Sequence, residues 1–270
     1  MRELLAALFQ EQDYKHQLKI HRGEISSFWG SSRCSPVLAE RRKWIDSTPE
    51  LNSFESPEAV PLLAEATALL RLPEAISSCR VLGTFLEPDF LLLKKNESGA
   101  FQFVGGSVCF PSSWKPEEKF GKPLAEIHSP VPHLNEEIGT QIHLFLQRLR
   151  PGHSWERYNW GLSRSSELNQ HPVRKLPPLL PETEPGDIWV RIEHQSLLAL
   201  PVTTGILFGI RIVNVPLLDL LKDSQISMHF ARMLRTMPEE MARYKGILAI
   251  RPNLLRHIAS LPQLRIDDPH

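Results

Sequence analysis

Cysteine is nearly absent: Cys34, Cys79 and Cys109 are the only three in 270 residues, and they are far apart. An odd count with no Cys-x-x-Cys argues against a disulfide framework and against a cysteine-held zinc or iron–sulfur site. A reducing cytoplasm is the simplest compartment. Glycine is also sparse, 14 against 23 prolines. No Gly-x-Gly-x-x-Gly, phosphate-cradling loop, Gly-x-Ser-x-Gly or His-Glu-x-x-His occurs, which argues against a nucleotide cofactor on this chain and against the commonest hydrolase signatures. Excess charge of either sign is missing, since 31 basic and 31 acidic side chains cancel. With no basic block, nucleic acid is not an expected partner. Long apolar runs are lacking too. The best, residues 197–212, is interrupted by Pro201 and falls short of the ~20 residues a bilayer requires. Met1-Arg2-Glu3-Leu4-Leu5 has charge too early to read as a signal peptide. No membrane association is expected.

What is present is ordinary globular material, 41% hydrophobic and 23% charged, enough for a sizeable core. Residues 1–35 show little periodicity and read as an extension that wraps the surface or hangs free; residues 36–270 read as one domain. Helical spacing predicts helices over 36–45 and 57–77, the latter lining Leu62, Leu63, Ala66, Leu69 and Leu70 on one face. Strands are expected at 81–85, 90–94 and 101–110 as an antiparallel meander. A helix over 116–127 and another over 134–150 follow. Strands return at 155–162, 188–192 and 205–213, around a proline-rich stretch at 163–187. Helices over 216–244 and 252–261 close the chain. The class is α+β, an antiparallel sheet with helices at both ends.

Several side chains carry chemistry. His128 ends a short helix and is followed by Ser129-Pro130-Val131-Pro132, a rigid exit that leaves an imidazole few free torsions, which suits an iron ligand. A histidine drawn to a helix C-terminus by the macrodipole is the plainer reading. Cys109, between Val108 and Phe110, could offer a thiolate but fits better as a small buried hydrophobe. Arg191, Glu193 and Gln195 share one strand face by the period of two. They form either a cluster for a small charged ligand or a solvated sheet face. Arg211 lies within the apolar Ile206-Leu207-Phe208-Gly209-Ile210-Arg211-Ile212 and calls for an anion, Glu193 or an acidic arm of a cofactor, unless it reaches solvent. Arg157 and Asn159 alternate with Tyr158 and Trp160, a polar face against an aromatic one; Trp160 could wall a flat macrocycle or be plain core.

The blocks Val108-Cys109-Phe110-Pro111-Ser112-Ser113-Trp114 and Lys119-Phe120-Gly121-Lys122-Pro123-Leu124-Ala125-Glu126-Ile127-His128-Ser129-Pro130-Val131-Pro132 resemble the haem-dependent oxidative N-demethylase family. Residues 157–162 and 189–211 add to the likeness. The resemblance implies a PAS-like sheet that binds haem b, with His128 as the ligand of the iron. It also implies a monooxygenase subunit that demethylates a small methylated amine of the dimethylamine type with O2. Electrons would come from a separate flavin and iron–sulfur reductase, and formaldehyde would be released. Arg157, Arg211 and Trp160 would then contact the haem and Glu193 would serve the substrate. Family members often carry a basic residue where Ser113 stands, so a propionate contact would either be lost or pass to Lys115, Lys119 or Arg157. A haem-based gas or redox sensor without turnover is the alternative.

Overall fold

Alternation along three long strands sets the architecture. In a computed structural model, which describes residues 1–30, 35–73 and 75–262, they are β5 (Ser154–Ser163), β6 (Trp189–Ala199) and β7 (Ile206–Pro216). Each pairs antiparallel with the next along nearly its whole length. β3 (Asp89–Lys95) and β4 (Phe101–Ser107) form a hairpin, turned by Asn96-Glu97-Ser98-Gly99, whose Asn96 Oδ1 accepts from the Ser98 and Ala100 amides at 3.1 and 3.0 Å. Short edge strands β1 (His21–Gly23) and β2 (Ser53–Glu55) complete a seven-stranded antiparallel sheet in the order β1-β5-β6-β7-β3-β4-β2.

Twelve α-helices are described. Before the hairpin come α1 (Arg2–Leu8), α2 (Ile25–Trp29), α3 (Pro36–Ser47), α4 (Pro49–Asn52), α5 (Ala59–Leu69) and α6 (Cys79–Gly83). Between β4 and β5 lie α7 (Leu124–His128) and α8 (Leu134–Gln147). After β7 follow α9 (Leu217–Leu220), α10 (Ser224–Thr236), α11 (Glu239–Tyr244) and α12 (Arg251–Ser260). None of the described helices is long and apolar enough to cross a membrane. On one face of the sheet, Trp160, Val190, Ile192 and Val215 pack under α10 to α12, while Leu92, Leu198 and Leu207 pack under α5. The other face carries Leu91, Leu93, Phe103, Leu197 and Ile210 beneath α7 and α8.

Several expectations change. Residues 81–85 are not a strand: Ser78 caps a helix there, its Oγ accepting from the Val81 amide at 3.2 Å, and α6 packs on the sheet instead. The predicted three-stranded meander is therefore the β3–β4 hairpin with β7 on its far side. The helix expected over 116–127 is split into a 3-10 turn (Pro116–Glu118) and α7, because Gly121 turns at φ 77°, a conformation costly for other residues, to donate its amide to the Phe103 carbonyl at 2.9 Å. Residues 1–30 do not hang free. Phe9 and Phe28, at 0% and 1% exposure, are core residues; the aromatic partners Trp160 and Phe230 of Phe9 and His194 of Phe28 lie far along the chain. Phe9 stacks edge-on against Trp160 and Phe230 at 5.2 and 5.1 Å. Phe9→Ala is expected to lower unfolding free energy by ~3–5 kcal/mol in urea titration. A midpoint and slope equal to wild type would restore the loose-extension reading.

A buried cation fixes the start of the candidate site. Arg41, fully buried on α3, pairs with Asp89 and donates to the Gly83 carbonyl at 3.2 Å and Ser107 Oγ at 3.1 Å. Asp89 in turn accepts the Cys109 and Phe110 amides at 2.7 and 2.9 Å. The chain leaving β4 is thus tied to the first residue of β3 as it turns towards α7.

Candidate functional site

The site is built on the α7/α8 face of the sheet. Arg157 stands opposite Gln195, Asn159 opposite Glu193 and Gly161 opposite Arg191 in the β5–β6 register, so the three predicted residues of β6 do share a face. They do not share a task. Arg191, 3% exposed, spends its guanidinium on the Phe110, Glu167 and Leu168 carbonyls at 2.7–3.1 Å and on Ser112 Oγ at 2.8 Å. It is a strut for two loops. Burial depresses its pKa to about 10, against the opposing pull of Glu193 and Asp89.

Glu193 is held through one oxygen. Its Oε2 accepts from Asn159 Nδ2 at 3.3 Å and Gln195 Nε2 at 2.9 Å, while Oε1 has no partner among the described residues. Behind Asn159 lies Lys245, at the end of α11, which donates to the Trp160 carbonyl at 2.5 Å and to Asn159 Oδ1 at 3.4 Å. Desolvation lowers the Lys245 pKa to about 8; Glu193 resists that shift and Arg157 adds to it. Because Lys245 bonds Oδ1, the Asn159 amide must turn its NH2 to Glu193.

Arg157, half-buried, differs from the buried Arg41 and Arg191. Its Nε is buried without a partner, and its side chain makes no hydrogen bond among the described residues. Desolvation lowers its pKa, with Glu193 opposing. A guanidinium left so is costly unless an anion meets it.

His128 completes the set. α7 is anchored by Asn135 Nδ2, which donates to the Ala125 carbonyl at 2.8 Å, and by Lys119 Nζ, which donates to the Ile127 carbonyl at 3.3 Å. Its exit is fixed by the Val131 amide on the His128 carbonyl at 2.9 Å, and His16 Nε2 donates to the Pro132 carbonyl at 2.8 Å. The His128 ring itself has no hydrogen-bond partner among the described residues, although the second ring nitrogen of a metal-bound histidine ordinarily donates to a carbonyl or carboxylate. Desolvation, then Arg157 and Lys119, push its pKa down to about 4. At neutral pH it is a free base with a lone pair to give. Ile127, Ile142, Phe145, Phe208 and Ile212 are apolar and only partly covered on this face, and a Cβ at Gly161 would meet nothing within 4 Å.

Two expected contacts lie elsewhere. Arg211 stands opposite His194, on the other face from Glu193. It pairs with Glu87 and donates to the Phe28 and Gly30 carbonyls, both at 2.7 Å. Its anion is Glu87, a residue whose approach no strand periodicity could show. Trp160 also faces away, packed with Phe9 and Phe230 and lying under Lys245 at 5.3 Å; the plain-core reading describes it. Cys109 is fully buried, and burial pushes its thiol up to about 12, far from the thiolate a metal takes. Cys34 lies outside the described residues. Lys245 escaped sequence reading because a lysine ending an exposed-looking helix carries no signal. Among the described residues no three His, Cys, Asp or Glu side chains converge to hold a metal ion.

The structure is thus a mixed helix-and-sheet protein with a neutral imidazole, an unmet guanidinium and partly covered apolar side chains on one sheet face. The sequence matches the family described as haem-dependent oxidative N-demethylase, alpha subunit-like, over residues 57–255. The chain belongs to that family. The match takes in His128, Arg157, Glu193 and Lys245, whereas His16, which braces the exit of α7, lies before it.

Proposed function

We propose that the α7/α8 face holds haem b, with His128 as the protein's ligand to the iron. The observation that carries this reading is the neutral, partnerless His128 imidazole beside the partnerless Arg157 on an apolar wall. The residues fit the group. His128 offers a lone pair without first losing a proton, Arg157 and Lys119 offer unmet positive charge to propionates, and Ile142, Phe145 and Ile212 offer dispersion to the macrocycle. The order of the five central strands, 2-1-5-4-3 when β3 to β7 are numbered among themselves, supports the PAS-like reading.

The haem supplies dioxygen activation when bound, with electrons from a separate flavin and iron–sulfur reductase, a role that an alpha subunit leaves to another component. The chain's own residues do the rest. Glu193 Oε1 holds or deprotonates the methylated amine, Asn159 and Gln195 keep that carboxylate in one orientation, and the α8 side chains exclude water. The products are formaldehyde and the demethylated amine. Reconstitution of the purified chain with haem is expected to give a Soret band. With O2 and a reductase, a methylated amine is then expected to yield formaldehyde. A Soret band without amine-dependent turnover would leave a sensor, and no haem uptake would end the proposal.

A further inference from the structure

Glu193 is not a free negative charge. It is the carboxylate acting on both Arg157 and Lys245, so two partly buried cations share a single acid. None of the three is within ion-pair distance of another, and the Asn159 amide bridges Glu193 to Lys245. If the haem propionates occupy Arg157 and Lys119, Glu193 still faces Lys245. A simple monocation at Glu193 Oε1 would then meet a carboxylate already balanced, and a second positive charge close by.

The unused valences are equally particular. Lys245 has three N–H donors and spends two, on the Trp160 carbonyl and on Asn159 Oδ1. Glu193 spends Oε2 on two amides and leaves Oε1 free. One donor of a cation and one acceptor of an anion are thus left open, and Asn159, bonded to both residues, fixes their relative position.

We propose that the methylated amine taken by this site carries an acidic group of its own, as an N-methyl amino acid does, with its ammonium on Glu193 and its carboxylate on Lys245. This rests on the reading above that the site takes a methylated amine. Each charged group of such a ligand meets its complement, and the lysine gains the counter-charge it lacks.

The test is calorimetric titration of the haem-reconstituted protein at neutral pH with N-methylglycine, its methyl ester and dimethylammonium chloride. N-methylglycine is expected to bind about tenfold or more tightly than either of the others, the scale of one charge-assisted hydrogen bond. Lys245→Met, checked for an unchanged thermal midpoint, is expected to erase that advantage, so that N-methylglycine and its methyl ester bind alike. Equal or tighter binding of dimethylammonium or the ester, or no binding of any probe, would overturn the inference. The Soret band is read before each titration, so failure of haem binding is seen separately. The probe preference can still be measured on haem-free protein.

Discussion

His128→Ala is expected to lose haem. A direct ligand should cost more than the ~10–100-fold in affinity that outer partners cost in metal sites. The protein should stay folded, because the ring at the end of α7 is neutral and makes no hydrogen bond that the substitution would break. Alanine suits the last turn of a helix, and the Asn135 and Lys119 anchors act on the backbone of Ala125 and Ile127. The measurement is haem titration followed at the Soret band, with circular dichroism to confirm the fold. A variant that binds haem with wild-type affinity and an unchanged spectrum would remove His128 from the iron. Cys109 could not then replace it without a large rearrangement, since it is fully buried and points into the Arg41 side of the fold.

Glu193→Gln is the second large effect. The carbonyl of the introduced amide can still accept from Asn159 and Gln195, so shape and packing persist while the charge and the open acceptor Oε1 go. Haem content should match wild type and amine turnover should fall by ~10²-fold or more, the usual loss for an acid/base or charge-holding group. Formaldehyde release under saturating O2 and reductant is the readout. Normal turnover with full haem content would make Glu193 an ordinary, amide-bonded residue of a sheet face.

Much of this fold is legible because strands and amphipathic helices obey short periods. The face shared by Arg191, Glu193 and Gln195 follows from alternation alone, and β3, β4, β5 and β7 fall close to where it puts them. What the sequence hides depends on distant partners. α6 resembles a strand in composition, Val81-Leu82-Gly83-Thr84-Phe85, and only the Ser78 cap and its packing make it helical. Phe9 and Phe28 sit in short apolar stretches that show no partner until the sheet brings Trp160 and His194 against them. Arg211 does need an anion, as its apolar strand implies, but Glu87 reaches it from a turn before β3. Lys245 enters the site from the end of α11, far along the chain from β5 and β6, where no local pattern points.

The Arg191 strut has a mechanical consequence. Residues 163–187 hold five prolines and little regular structure, so their backbone carbonyls take partners both from within the loop, as from Gln170 and Arg174, and from outside it. One guanidinium supplies them for Glu167 and Leu168, and it also holds Phe110 and Ser112 from the stretch that leads to α7. Arg191 sits two residues from Glu193 on the same strand. The loop and the stretch that leads to α7 are therefore tied together by a single side chain two residues from the carboxylate, so loss of that guanidinium would strip partners from two backbone segments at once.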